Sequence, residues 1–134
     1  FDGPATFNAA LVATDTVAVT GNASIGGNLA VTGDTALAAD LNLAPQTAIS
    51  VTNGGIITPT GALQRLTSAG NVTATLAAPA AGQVIVLFNS SSTTITIEDT
   101  TGQALSANAA LGQWDTLTIV GYGNSFYEVA RSNN

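Results

Sequence analysis

Few side chains in this sequence can do chemistry. The 134-residue chain has no His, Cys or Lys, which removes Ser-His triads, Ser-Lys dyads, Schiff bases, thiolates and His-bearing zinc sites together. A carboxylate pair is the one enzyme chemistry left. Glu98 and Asp99 are neighbours in an expected strand and so face opposite sides, while Asp115 and Glu128 would have to be brought together by the fold. The expectation is therefore no enzyme: no catalytic residue, no metal and no cofactor.

Asn22, Asn28, Asp34 and Asp40 recur at one position of a six-residue repeat and could line up as oxygen ligands for calcium. Two of them are neutral and the nonapeptide calcium pattern is missing, so turn-capping through their own backbone is expected instead. The pairs Thr73/Thr75, Thr94/Thr96 and Thr116/Thr118 present hydroxyls on one strand face, as an ice-binding array would. Such an array needs the pairs repeated in the regular part of the chain, so strand propensity explains them better. Trp114, Tyr122, Phe126 and Tyr127 cluster near the end of the chain. They are candidate receptor contacts, with a glycan as one partner, or else packing residues of the core or of a subunit seam.

The elements that position these residues start with the repeat itself. Residues 14–43 read TDTVAV, TGNASI, GGNLAV, TGDTAL, AADLNL, with an aliphatic residue closing every six. A helix is opposed by the interior glycines, the Thr-rich composition and a period that does not match 3.6. Each unit instead joins a three-residue strand to a Gly-Asn or Gly-Asp corner, and glycine and asparagine tolerate the positive φ of a tight turn. In one chain three such units make one triangular coil, so this stretch closes fewer than two coils, short of the roughly three repeats a stacked core needs. Three chains can each supply one side. The expected core of that homotrimer is Val17, Val19, Ile25, Leu29, Val31, Leu37, Leu41 and Leu43.

Around this stem the chain divides into an arm at 1–13, a neck at 44–61 and a tip at 62–134. The arm, with Gly3-Pro4 and the aromatics Phe1 and Phe7, is a candidate attachment segment. Starting at Phe, it is expected to be a processed or truncated chain. The neck is broken by Pro45, Asn53-Gly54-Gly55 and Pro59, with short strands at 48–52 and 56–57. In the tip, alternation predicts strands at 63–67, 72–76, 83–89, 94–99, 116–122 and 125–131, joined as a small antiparallel β-sandwich or jelly roll. The fold expectation is all-β: a trimeric, intertwined β-helical stem followed by that tip.

Eight carboxylates against Arg65 and Arg131 give a net charge of −6, so no basic footprint exists for nucleic acid. Charged residues are 7% of the chain against a usual ~25%, leaving solvation to Thr, Ser, Asn and Gly. The longest aliphatic run, 84–88, is far too short to span a membrane, and FDGPATFN lacks the features of a signal peptide. Neither nucleic acid nor membrane insertion is expected.

The stem TVAVTGNASIGGNLAVTGDTAL resembles the TGNxxVGGNLxVTG repeats of bacteriophage tail fibres and head fibres. The segments QVIVLF, TITIED, LGQWDTL and YEVARS are similar to the distal β domain of small phage fibre or spike proteins. The resemblance implies a homotrimeric fibre or capsid spike on the virion surface. Its amino end would attach to a capsid or tail protein, and its carboxyl tip would face a host glycan or protein. The alternatives are a capsid decoration protein that binds no receptor and a fragment of a bacterial trimeric surface adhesin.

Overall fold

The computed structural model describes residues 13–14, 16–38 and 41–132, and the chain divides into two compact units, Phe1–Ala39 and Asp40–Asn134. Phe1, Phe7 and Asp40 lie outside the described residues. The described residues of the first unit include no strand, and the aliphatic row of the repeat stays open to solvent, from 51% exposed at Val31 to 68% at Leu29. The predicted three-residue strands are thus not formed in the single chain. So short a strand has no ladder to join without a neighbour. Leu41 and Leu43, expected in the stem, fall in the second unit and are also exposed.

The second unit is all-β and stacks as a β-solenoid of about three turns. Each turn supplies one strand to each of two sheets. The first is β1 (Gln46–Ser50) and β2 (Gly55–Ile57), the second β3 (Leu63–Thr67) and β4 (Val72–Leu76), the third β5 (Val84–Asn89) and β6 (Ile95–Ile97). β1, β3 and β5 pair in parallel, with Ile49 over Leu66 and Leu66 over Asn89. β2, β4 and β6 do the same, with Gly55 beside Ala74 and Val72 beside Ile95. The strands of the predicted neck thus form the first solenoid turn.

The antiparallel pairing expected of the tip is corrected for β3 with β5 and for β4 with β6, which pair in parallel. Alternation reports which side chains face inward, but it is the same in parallel and antiparallel ladders. The segments 68–71, 77–83 and 90–94 are corners that carry the chain from one sheet to the other. Asparagines join successive corners: Asn53 Oδ1 accepts from the Thr73 N–H (3.0 Å), and Asn71 Oδ1 accepts from the Thr94 N–H (2.9 Å). Hydroxyls do likewise, with the Ser68 and Thr93 oxygens 2.6 Å apart.

Antiparallel pairing does close the last turn. β7 (Gln103–Ala104) and β8 (Ala109–Leu111) precede β9 (Thr116–Tyr122) and β10 (Ser125–Ser132), with β8 against β6 and β9 against β5. The sheets run β1-β3-β5-β9-β10-β7 and β2-β4-β6-β8. Both contribute to one core, which includes Leu66, Ile85, Leu87, Leu117, Ile119 and Phe126 from the first sheet and Ile57, Leu76, Ile95, Ile97 and Leu111 from the second. β1 and β2 are outermost in their sheets, so the unit's first turn keeps open edges while its last is covered by the β8–β10 segment.

Gly121 shows how tightly β9 is covered. Its N–H donates to Gln83 O (2.7 Å) and its carbonyl accepts from the Gly82 N–H (2.8 Å), while a Cβ added to it would press on the carbonyl of Ala80 and come within 2.7 Å of Pro79 Cβ. Backbone cannot give way as a flexible side chain can. Gly121→Ala is expected to lower stability by about 1–3 kcal/mol, seen as a reduced urea midpoint.

Candidate functional site

In β3 the burial pattern alternates so that Gln64 and Leu66 point inward and Arg65 outward; in β5, Leu87 and Asn89 are buried and Phe88 faces the outer side. Parallel register sets Arg65 beside Phe88, and antiparallel register sets Phe88 beside Thr116. On this outer face lies an open cleft of about 520 Å³. Arg65, Phe88 and Trp114 line it together with Ser90 and the start of the first turn, Pro45, Gln46 and Thr47. The Gln46 amide lies against Gly61, where a Cβ would come within 2.7 Å of Gln46 Cγ and move the side chain aside.

Trp114 is the one non-glycine with positive φ (68°) among the described residues, and its side chain is 57% exposed. It occupies the third position of the turn 112–115, closed by the Asp115 N–H donating to Gly112 O (3.2 Å), and such a turn favours glycine at a positive-φ site. Holding tryptophan there costs about 1–2 kcal/mol. Four contacts hold it. Asp115 Oδ2 accepts from the Gly112 N–H (2.8 Å), the Trp114 N–H donates to Asn89 O (2.7 Å), the Asn89 N–H donates to Asp115 O (3.1 Å), and Asn89 Nδ2 donates to Leu111 O (2.9 Å). A strained backbone persists only when its surroundings over-determine it, and such residues concentrate at binding sites.

The other aromatics separate from Trp114. Tyr122 (76% exposed) and Tyr127 meet edge to face on the β9–β10 hairpin, with centroids 6.4 Å apart. Of the two alternatives left open for Phe126, receptor contact or packing residue, the structure takes the second: it is a core residue at 1% exposure, because it alternates inward beside Gly121 in the β9 ladder. Residue type alone could not sort these four. Arg65 and Phe88 were absent from the expected site, although the outward positions of LQRLT and VIVLFN carried the signal.

Among the described residues the carboxylates of Asp115, Asp99 and Glu128 have separate structural partners. Asp115 holds the turn under Trp114, Asp99 Oδ1 accepts from the Leu105 N–H (3.2 Å), and Glu128 is committed to Arg131. Among the described residues no group of three or more acidic, His or Cys side chains is placed to hold a metal, and Asn22, Asn28 and Asp34 are exposed. Among the described residues no carboxylate lines the cleft. Its inventory of one guanidinium, two aromatic faces, an amide and hydroxyls suits recognition more than proton transfer.

Arg131 and Glu128 form a fixed clamp. Nε donates to Oε1 and Nη2 to Oε2, each at 2.6 Å, and the same guanidinium donates to the carbonyls of Ala107 (2.9 Å) and Asn108 (3.1 Å). The Ser106 N–H donates to Glu128 Oε2 (2.8 Å). The Arg131 hydrogen bond, opposed by burial and aided by Ser106, lowers the Glu128 pKa from 4.5 to about 2. A carboxyl depressed in the folded state contributes stability that is fully present above its unfolded value and lost as pH falls through its folded value. The urea midpoint is therefore expected to fall as pH drops from 4.5 to about 2. Glu128→Gln should lower the midpoint at neutral pH and flatten that decline.

No protein-family model, curated protein or solved structure matches the chain.

Proposed function

We propose that this chain is a homotrimeric phage fibre or capsid spike in which the repeat is a stem and the β-solenoid presents a surface for host attachment. The observation that carries the reading is the aliphatic row of the repeat, Val17, Val19, Ile25, Leu29, Val31 and Leu37, which stays exposed and unburied in the single chain. Burying an aliphatic side chain contributes about 1.5–3 kcal/mol, so a row recurring every six residues is a large unused driving force. Two further copies of the same chain are the occupant that repeats with the same period. The likeness of the repeat to phage fibre stems and the lack of any His, Cys or Lys support a structural and binding role over catalysis.

Sedimentation equilibrium of the full chain tests this. The expected mass is three times the 13.2 kDa chain, held at micromolar concentration. A stable monomer overturns the reading.

A further inference from the structure

We infer that the cleft between Arg65, Phe88 and Trp114 binds a carboxylate-bearing sugar. The inference rests on the attachment reading and names the class of ligand the outer sheet face would take.

Charge is the first argument. The chain has two cations among eight carboxylates, and Arg131 is consumed by Glu128 and the carbonyls of 107 and 108. Arg65 is exposed and its side chain makes no hydrogen bond or ion pair among the described residues. A planar guanidinium left open on a cleft matches a carboxylate in the bidentate geometry that arginine favours. The net charge of −6 opposes a polyanion, so an isolated carboxylate on a mostly neutral ligand fits best.

Shape is the second. A sugar ring offers a flat C–H face and a hydroxyl rim. The exposed indole of Trp114 and the ring of Phe88 supply flat apolar faces, while Ser90, Thr47 and the Gln46 amide supply polar partners at the margin. At about 520 Å³ the cleft lies in the range of small-ligand sites and suits one or two sugar residues. Strain is the third. A tryptophan whose main chain is held at φ 68° by the hydrogen bonds of the 112–115 turn, where glycine would be relaxed, stands at the cleft on a fixed backbone, which lowers the ordering cost on binding.

Trp114 is the sole tryptophan, so its fluorescence reports directly on the cleft. The full chain is titrated with sialyllactose and with methyl glucuronide, each carrying a single carboxylate, against neutral lactose and sodium sulfate, and each titration is repeated by calorimetry. The expected result is saturable quenching by at least one acidic sugar, with lactose and sulfate about tenfold or more weaker. Arg65→Gln, at an exposed position, should lose about tenfold for the acidic sugar and nothing for lactose. Trp114→Gly, followed by calorimetry with its fold checked by circular dichroism, should lose both. Equal binding of lactose, equal binding of sulfate, or unchanged affinity in Arg65→Gln overturns the inference. Sedimentation of the same sample separates the two readings. A trimer that binds neither acidic sugar overturns the cleft alone, whereas a monomer that binds one overturns the stem and supports the cleft.

Discussion

Replacing Asn89 with alanine is expected to lower the unfolding free energy of the β-solenoid by about 3–5 kcal/mol, a larger loss than any surface change should cause. Asn89 is fully buried at the end of β5. Nδ2 donates to the carbonyls of Thr93 (2.6 Å) and Leu111 (2.9 Å), and Oδ1 accepts from the Ser91 N–H (2.9 Å) and hydroxyl (2.6 Å). One side chain thus ties the corner after β5 to the end of β8. Alanine leaves two carbonyls and an amide without partners in a low-dielectric interior, at about 1–3 kcal/mol for each group that water cannot reach. Equilibrium urea unfolding checks this: the midpoint should fall with the slope unchanged. Because Asn89 Nδ2 also holds the carbonyl of Leu111, next to the 112–115 turn, the variant should alter Trp114 emission in the folded baseline. A midpoint shift below about 1 kcal/mol would mean that the network is replaced by water at little cost.

Placing Asp at both Leu29 and Val31 is expected to abolish the trimer and leave the β-solenoid folded. In the proposed trimer, three-fold symmetry multiplies the change, since each substitution puts three carboxylates along one seam. Both faults then act together: apolar burial of about 1.5–3 kcal/mol per aliphatic side chain is lost, and unpaired like charges face one another across the axis. The consequence is a monomer at micromolar concentration. Because Leu29 and Val31 are exposed and belong to the first compact unit, the urea transition followed by Trp114 should survive. Sedimentation read beside that transition checks the pair of outcomes. A variant that stays trimeric would show that the repeat is not the seam.

Much of the strand content was legible because alternation is a local property. Ala74 and Leu76 of VTATL, and Leu117 and Ile119 of TLTIVGY, mark their inward faces directly, and β3, β4 and β9 take the predicted bounds. β7 and β8 were missed, since GQALSANAALG is Ala-rich, lacks β-branched residues and forms strands of two and three residues only through their partners. Gln64 and Asn89 were equally hidden. A polar residue at an inward position looks like a break in the pattern until its hydrogen-bond partners are seen. Gln64 is such a case: its Nε2 donates to Thr47 O (2.8 Å) in the neighbouring turn, which helps set β1 against β3.

The sequence by itself determined the six-residue period, the alternation that makes the carboxyl-terminal part all-β, and the absence of the usual catalytic bases. These are composition and short-range spacing. Only the tertiary structure decided that the first six solenoid strands run parallel, that Phe126 goes to the core while Trp114 is held outward at positive φ, and that Arg65 meets Phe88 across two turns. The physical reason is range. A strand's own geometry fixes which side chains share a face, but the choice of neighbouring strand and its direction rests on hydrogen bonds between residues far apart in the chain. The cleft exists only where those choices coincide.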